Sequence, residues 1–298
     1  MNESDLISLL RPLAGPSALN LDDDAAILTP SVGQDIVLSK DTMVEGVHFP
    51  AGRIGGGFSE RLLRTALSDL AAKGARPIGY MLSVAWPKER EDVWLSGFVR
   101  GLRDAQASFD CPLIGGDTVS TGGPLIATAT VFGVVPQGKA VLRSGANVGD
   151  DIWFTGRLGL AEIGLAVVSG DPEALSHPDA LDAEEAYLRP IPRFEFRKVL
   201  RQYATASADI SDGILKDGSH IAKASDVGLD FIGDSVRHAT FGDDYELLFT
   251  ASPDSRDALL NEATALGVPL TLCGQVNKGS GVTVDGKPVP TTGYTHKL

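Results

Sequence analysis

The chain has 298 residues, of which 43% are hydrophobic and 22% are charged, so it can bury a sizeable core and form two domains or one large one. A formal net charge of −13 and the lack of a dense Lys/Arg run argue against nucleic-acid binding. Its two cysteines fit neither a disulfide framework nor a zinc site, and no apolar run reaches the ~18 residues of a membrane span. We therefore expect a cytoplasmic protein with no nucleic-acid or membrane partner.

Helix and strand signals alternate along the first part of the chain, as in an α/β fold. In chain order the pattern predicts a helix over residues 6–13, a strand over 36–38, a helix from Ser59 to Gly74, a strand over 78–86, a helix over 93–105, and strands over 112–114 and 125–135. Ser59 is the predicted N-cap of its helix. An interdomain break is predicted at residues 135–138, which divides the chain into domains 1–136 and 137–298.

The second part of the chain repeats the alternation. It predicts strands over 152–154 and 206–210, helices over 158–168 and 214–224, and strands over 247–249 and 270–272 around a helix near Leu259.

Common phosphate-binding motifs are missing from the sequence. No G-x-G-x-x-G occurs, and the segment from Gly133 to Ala140 only approximates a P-loop. Ala140 stands where a P-loop needs Ser or Thr, Pro136 interrupts the segment, and no helix signal follows. A nucleotide would have to be bound in another way.

Aspartates recur in turns and at the predicted ends of strands: Asp23, Asp24, Asp41, Asp69, Asp117, Asp209, Asp212, Asp243 and Asp244. Each one alone is more easily explained as a turn former or a helix cap. Ligands of α/β proteins bind outside the carboxyl ends of strands, so the aspartates could also converge on one site. Converging carboxylates would need cations, and Mg²⁺ prefers oxygen ligands and phosphates.

Seven segments, in order along the chain, resemble thiamine-monophosphate kinases of the aminoimidazole-ribonucleotide synthetase superfamily. They are Asp23-Asp24-Ala25-Ala26, Asp41-Thr42-Met43-Val44-Glu45-Gly46-Val47-His48-Phe49, Leu67-Ser68-Asp69-Leu70-Ala71-Ala72-Lys73-Gly74-Ala75, Ile114-Gly115-Gly116-Asp117-Thr118, Arg143-Ser144-Gly145-Ala146, Asp209-Ile210-Ser211-Asp212-Gly213 and Gly242-Asp243-Asp244-Tyr245-Glu246-Leu247. The resemblance implies an α/β (α+β) fold of two domains, with ATP between them and the N-terminal domains paired in a homodimer. It also implies Mg²⁺-dependent transfer of the γ-phosphate of ATP to thiamine monophosphate.

Residue roles follow from the same resemblance. The implied Mg²⁺ ligands are Asp24, Ser39, Lys40, Asp41, Asp69, Asp117, Asp209 and Asp212. The implied ATP contacts are Gly116, Asp117, Arg143 and Ser211, and the implied thiamine monophosphate contacts are His48, Asp243 and Thr291. No dedicated nucleophile is expected, since phosphoryl transfer depends on positioning and charge neutralisation.

The chain departs from the family at several of these positions. Lys40 stands where a Thr is common, so its metal contact survives only if it is made by the backbone carbonyl. Asp243 replaces the more usual Glu, and the segment at Thr291 lacks the aromatic residue often found there. These changes are expected to affect the binding of thiamine monophosphate more than the binding of ATP.

Two other functions remain open from the sequence. One is a different ATP-using enzyme of the superfamily, such as a ligase or a selenophosphate-forming enzyme, although the reactive N-terminal Cys of the latter is missing. The other is a non-catalytic binding protein of the same fold, which would be expected to have lost the aspartates.

Overall fold

A computed structural model describes residues 3–52, 56–88, 92–236, 241–290 and 293. The strands are β1 (Gln34–Val44), β2 (Arg76–Pro87), β3 (Leu113–Thr121), β4 (Ile126–Pro136), β5 (Asp151–Thr155), β6 (Ala204–Asp209), β7 (Gly228–Phe231), β8 (Leu247–Ala251), β9 (Leu270–Asn277), β10 (Gly281–Val284) and β11 (Lys287–Pro288). The helices are α1 (Glu3–Leu10), α2 (Gly56–Ala72), α3 (Asp92–Phe109), α4 (Leu160–Ser169), α5 (Pro172–Leu175), α6 (Ala180–Leu188), α7 (Arg197–Tyr203), α8 (Ile214–Ser225), α9 (Gly233–Val236) and α10 (Arg256–Leu266).

The N-terminal strands form a four-stranded sheet in the order β1-β4-β2-β3, in which only the β2–β3 pair is parallel. Helices α2 and α3 pack together, and α2 covers one face of this sheet. The register aligns Thr42 of β1 with Ser83 of β2 and Asp117 of β3 through β4, so Thr42 and Asp117 lie in one row at opposite edges. Since side chains alternate along a strand, Asp41 and its neighbour Thr42 point to opposite faces.

The face of this sheet that points away from α2 is open in the described chain. It carries exposed apolar side chains, including Leu38 at 59% and Val119 at 55% exposure, together with Met81 and Ile36. A sheet with one buried and one exposed apolar face is typical of a surface that a further element or molecule covers.

The C-terminal strands form a seven-stranded sheet in the order β11-β10-β7-β9-β5-β8-β6. Strand β6 lies at one edge, next to β8, and α8 follows it directly. The sheet is mixed: β7 and β10 pair in parallel, while β5 pairs antiparallel with both β8 and β9. Helix α2 contacts both β1 and β6, so strand β6 lies against the N-terminal part of the molecule.

One hydrophobic core runs through both parts of the molecule. Leu67 and Leu70 of α2 belong to the same buried cluster as Trp153, Phe196 and Phe249 of the C-terminal part. The predicted break at 135–138 falls between the two sheets, but the core continues past it. Domain limits at 136 and 137 stay a prediction.

Most of the predicted elements occur, with longer strands than the sequence pattern indicated. The prediction that Ser59 caps its helix is wrong, because α2 begins at Gly56 and the Ser59 hydroxyl donates to the carbonyl of Phe98 at 2.7 Å. The segment resembling a P-loop ends strand β4 and leads into a turn rather than a helix. Among the described residues, none of the helices combines the length and the apolar character that a membrane crossing requires.

Candidate functional site

Helix α2 carries a row of polar side chains toward the C-terminal part of the molecule. Arg61, Thr65 and Asp69 are four residues apart, and Lys73 follows at the same interval, with its N–H still bonded to the Asp69 carbonyl. Residues i and i+4 lie on the same face of a helix, so these side chains form one line. The apolar residues of α2, such as Leu62, Leu63 and Leu67, are packed in the core, and the row lies on a different side of the helix.

A group of carboxylates meets between β1, α2 and β6. The Ser39 hydroxyl donates to Oδ2 of Asp69 at 2.5 Å. Burial, and then the nearby Asp69, raise the pKa of Asp41 to about 6, although Thr65 and Arg61 oppose the rise. Burial also raises the pKa of Asp209 well above its usual value, and Asp69 adds to the effect. We call Asp41, Asp69 and Asp209 the carboxylate cluster.

The ligand types of this cluster are those that a divalent cation such as Mg²⁺ prefers. Its side chains supply only oxygen atoms, which suits Mg²⁺, and the charge of Asp69 adds to the raised pKa of both Asp41 and Asp209. A bound cation would relieve that repulsion.

The loop after β6 is held by a carboxylate that the sequence analysis did not single out. Asp217 accepts hydrogen bonds from the backbone N–H groups of Ser211 and Asp212, both at 3.0 Å. Burial raises the pKa of Asp217 to about 7. Asp212 itself pairs with Lys216 at 2.8 Å. The ligand atoms of Asp212, Asp217 and His220 lie within 4.8 Å of one another, a spacing that could hold a metal ion. Asp217, however, already accepts the two backbone N–H bonds that hold the loop in place.

Lys73 ties the end of α2 to the strand that carries Asp209. Its Nζ donates to the carbonyl of Ser207 at 2.7 Å, and its own carbonyl accepts from the N–H of Val141. Burial lowers the pKa of the Lys73 amine to about 8, although Asp209 and Asp69 oppose the fall. The exposed Arg143 lies near enough to contribute to the same lowering. A cation therefore lies beside the carboxylate cluster.

Next to the cluster is a cavity of about 760 Å³, called here the acceptor cavity. It is lined by Asp41, Thr42, Met43, Gly46, Val47, His48, Phe49, Pro50, Arg61, Glu162, Leu165, Ser169, Ser211, Asp212, Phe241, Asp243, Tyr245 and Gly293. Nδ1 of His48 accepts a hydrogen bond from the N–H of Val44 at 3.0 Å. Oδ1 of Asp243 lies 2.7 Å from Arg61. Both residues predicted to contact thiamine monophosphate in the described chain therefore share one cavity with Asp41.

A second cavity, of about 380 Å³, lies at the β3 edge of the N-terminal sheet. Asp24, Gly116 and Asp117 line it together with apolar side chains of α1 and α3 such as Leu10 and Phe98. A Cβ on Gly116 would lie 2.0 Å from the Leu82 carbonyl oxygen, so the pairing of β3 with β2 requires glycine there whatever else it binds. We call this the edge cavity.

The structure thus divides the predicted site residues into groups. It brings Ser39, Asp41, Asp69 and Asp209 together, with Ser211, Asp212, His48 and Asp243 along the adjoining acceptor cavity. Asp24, Gly116 and Asp117 lie apart in the edge cavity. The side chain of Lys40 is on the open face of the sheet, so only its backbone can approach the cluster. Thr291 is outside the described residues.

Comparison with known proteins places the chain among phosphate-transferring enzymes. Residues 22–135 match the family model for AIR synthase related protein, N-terminal domain. The chain is 40% identical over 302 residues to the thiamine-monophosphate kinase of Caulobacter vibrioides, covering 92% of this chain and 84% of that protein. The chain belongs to the thiamine-monophosphate kinase family.

Solved structures of the thiamine-monophosphate kinase family have the same fold. The crystal structure of thiamine-monophosphate kinase from Stenotrophomonas maltophilia K279a superposes with a TM-score of 0.83 at 37% identity, covering 95% of each chain. AaThiL complexed with AMPPCP and TMP superposes with a TM-score of 0.81 at 27% identity, covering 99% of this chain and 97% of that one.

Three residues of this thiamine-monophosphate kinase family member were not singled out from the sequence. Arg61 lines the acceptor cavity, Lys73 lies beside the carboxylate cluster, and Asp217 fastens the loop after β6. The available signal was the four-residue interval that runs from Arg61 through Thr65 and Asp69 to Lys73, because neighbours at this interval share a helical face.

Proposed function

We propose that this chain is an ATP-dependent kinase that converts thiamine monophosphate to thiamine diphosphate. The observation that carries the proposal is the carboxylate cluster, Asp41, Asp69 and Asp209, at the edge of the acceptor cavity. Family membership gives the same reaction, and the relative AaThiL has been seen with AMPPCP, an ATP analogue that cannot transfer its γ-phosphate, and TMP.

The reaction needs two negatively charged phosphates to approach each other. A terminal oxygen of the thiamine monophosphate phosphate attacks the γ-phosphorus of ATP, the bond to the β-phosphate oxygen breaks, and ADP leaves with that oxygen. We assign Asp41, Asp69 and Asp209, with the Ser39 hydroxyl and the Lys40 carbonyl, to Mg²⁺ binding. Bound Mg²⁺ would supply neutralisation of the phosphate oxygens. The amine of Lys73 lies beside the same group and carries its positive charge below its pKa of about 8.

The protein's own side chains bind and orient the two substrates. His48 and Asp243 are assigned to thiamine monophosphate because they line the acceptor cavity together with Arg61. Arg143 and Ser211 are assigned to ATP phosphates: the exposed guanidinium of Arg143 suits phosphate oxygens, and Ser211 lies in the loop that Asp217 fastens. No side chain has to act as a nucleophile, since positioning and electrostatic stabilisation provide most of the acceleration in phosphoryl transfer.

We also propose that the site is completed by a second copy of the chain. Asp24, Gly116 and Asp117 are assigned to metal and ATP binding, yet they lie at the β3 edge, about 14 Å from β1 at three strand spacings. The open apolar face of the N-terminal sheet is the surface that a homodimer would bury. Asp117 of the partner subunit would then approach the Asp41 edge of this one.

Mixing two inactive variants tests the shared site. Asp41→Asn and Asp117→Asn, unfolded and refolded together, should regain up to about a quarter of wild-type activity, because half of random dimers are mixed and each contains one intact site. Sites built within one chain would stay inactive in the mixture.

The activity itself is tested by incubating the purified protein with ATP, MgCl₂ and thiamine monophosphate. Equal amounts of ADP and thiamine diphosphate are expected, and EDTA should stop their formation. ADP release that does not depend on thiamine monophosphate would instead favour a different ATP-using enzyme of the superfamily. A cytoplasmic location is proposed with this function, in keeping with two buried free cysteines.

A further inference from the structure

Arg61 is the most deeply buried charge at the acceptor cavity. Its side chain is only 2% exposed, and its guanidinium contacts two separate parts of the chain, the loop at Asp243 and helix α6 at Tyr187. A buried cation without partners is strongly destabilising, so the contacts of Arg61 are obligatory rather than incidental. These contacts hold two residues of the acceptor cavity, Asp243 directly and His48 through Tyr187.

One branch of Arg61 holds the loop that carries Asp243. Nη2 lies 2.7 Å from Oδ1 of Asp243, and the hydroxyl of Tyr245 donates to the same oxygen at 3.2 Å. Asp243 and Tyr245 have φ angles of 62° and 52°, a left-handed conformation that is unfavourable for residues other than glycine. Such backbone persists only where surrounding contacts enforce it. The guanidinium is one of those contacts.

The other branch of Arg61 reaches the turn that carries His48. Nη1 donates to the carbonyl of Tyr187 in α6, and the guanidinium stacks 4.0 Å from the centre of the Tyr187 ring. The Tyr187 hydroxyl in turn donates to the carbonyl of His48 at 3.2 Å. A single planar group therefore links α2, α6 and the His48 turn.

We propose that Arg61 is the positioning residue of the acceptor cavity, fixing Asp243 directly and His48 through Tyr187. This inference rests on the proposed function, because it takes His48 and Asp243 as contacts to thiamine monophosphate. The role assigned to Arg61 is exerted through these neighbours rather than through a contact of its own with the substrate. Its loss should therefore weaken binding of thiamine monophosphate selectively and leave the ATP side of the site unchanged.

Lysine cannot replace this arginine. A guanidinium offers two donor branches in one plane and a flat face for stacking, whereas an ammonium is a single point charge. In Arg61→Lys the amine can pair with Asp243 or reach the Tyr187 carbonyl, but it cannot hold both. Loss of one charged hydrogen bond corresponds to a decrease in affinity of about 10- to 100-fold.

Arg64 provides a matched control on the same helix. Its guanidinium also stacks on an aromatic ring, 5.0 Å from the centre of Phe109, and reaches a backbone carbonyl, that of Pro190, at 3.4 Å. It lines neither the acceptor cavity nor the edge cavity. Arg64→Lys therefore makes the same chemical change away from the proposed substrate contacts.

The experiment compares wild type, Arg61→Lys and Arg64→Lys in steady-state kinetics and in calorimetric binding of thiamine monophosphate and of an ATP analogue with Mg²⁺. For Arg61→Lys we expect a Kd for thiamine monophosphate raised about 10- to 100-fold and a nucleotide Kd within about twofold of wild type. Arg64→Lys should match wild type in both. Equal weakening of both ligands, or an unchanged Kd for thiamine monophosphate, would overturn the inference.

Further measurements distinguish a failure of this inference from a failure of the proposed function. A wild-type enzyme that does not phosphorylate thiamine monophosphate would refute the proposed function, whereas normal wild-type turnover with an unaltered Arg61→Lys would refute this inference alone. Should Arg61→Lys fail to fold, Tyr187→Phe removes only the hydroxyl that donates to the carbonyl of His48 and so breaks the link from Arg61 to the His48 turn. That variant should likewise raise the Kd for thiamine monophosphate alone; a nucleotide-only effect would contradict the proposed arrangement.

Discussion

Replacing Asp41 with asparagine tests whether the carboxylate cluster is assembled at a cost to stability. Burial, followed by the charge of Asp69, raises the pKa of Asp41 from 3.8 to about 6. The folded protein thus binds this proton more tightly than the unfolded chain does. The resulting stability is fully present below about pH 4 and is lost as the pH rises through about 6. At 1.36 kcal/mol for each pH unit, the ionised side chain costs the metal-free fold about 3 kcal/mol at pH 8.

Asp41→Asn removes the charge and keeps an oxygen beside the Thr65 hydroxyl. In urea unfolding with EDTA at pH 8, we expect the variant to be more stable than wild type by up to about 3 kcal/mol. At pH 5 the advantage should shrink to about 1.5 kcal/mol, because the wild-type side chain is then largely protonated in the folded state. The variant should have lost its kinase activity.

Magnesium should reverse this order. A cation that binds only the folded protein through Asp41 stabilises wild type and leaves the variant nearly unchanged. Identical unfolding free energies for the two proteins in EDTA at pH 8 would refute the argument from burial and repulsion. An equal gain from MgCl₂ in both would show that Asp41 is not a metal ligand.

Three other substitutions follow from the geometry. Asp69→Asn should lower kcat about a hundredfold without unfolding the protein, because it takes a charge from the cluster and keeps an acceptor for Ser39; full activity would contradict the metal assignment. Lys73→Met should leave the thermal midpoint within a few degrees, since an apolar side chain of similar length suits a buried position, while kcat falls about tenfold. Wild-type kcat in that variant would show that the amine only ties the two parts together. Gly116→Ala should destabilise the protein by about 3 kcal/mol in urea unfolding, since its Cβ would overlap the Leu82 carbonyl; wild-type stability would contradict the β2–β3 register.

Periodic apolar residues made much of this structure predictable. The alternation of helix and strand signals corresponds to the elements on either side of residues 135–138. Asp41, Asp69 and Asp209 do converge, but only Asp209 ends a strand; the prediction of a turn or strand end is wrong for Asp41, which lies inside β1, and for Asp69, which lies inside α2. Short strands such as β7 and β10 were missed because four residues give little periodicity. Ser59 shows the limit of capping rules, since its hydroxyl found a partner in a neighbouring helix.

The cations of the site were harder to predict than its anions. Arg61 and Lys73 lie on an amphipathic helix, where such residues ordinarily face water. Their environment depends on the C-terminal half, which packs against that polar face more than 100 residues later in the chain, as the contacts to Tyr187 and Ser207 show. Local patterns carry no information about such a long-range partner. Likewise, Asp217 has the position of an ordinary first-turn acid in α8, and only the folded loop reveals its two N–H donors.

Because the polar row lies on one rigid helix, α2 fixes the distances between these side chains of the site. A helix advances about 1.5 Å per residue, so the twelve steps from Arg61 to Lys73 set a length of about 18 Å that no loop movement can alter. One extra residue inside this stretch would turn everything beyond it by about 100° and carry Asp69 away from Ser39. Length in this helix should therefore tolerate change far less than side-chain identity does.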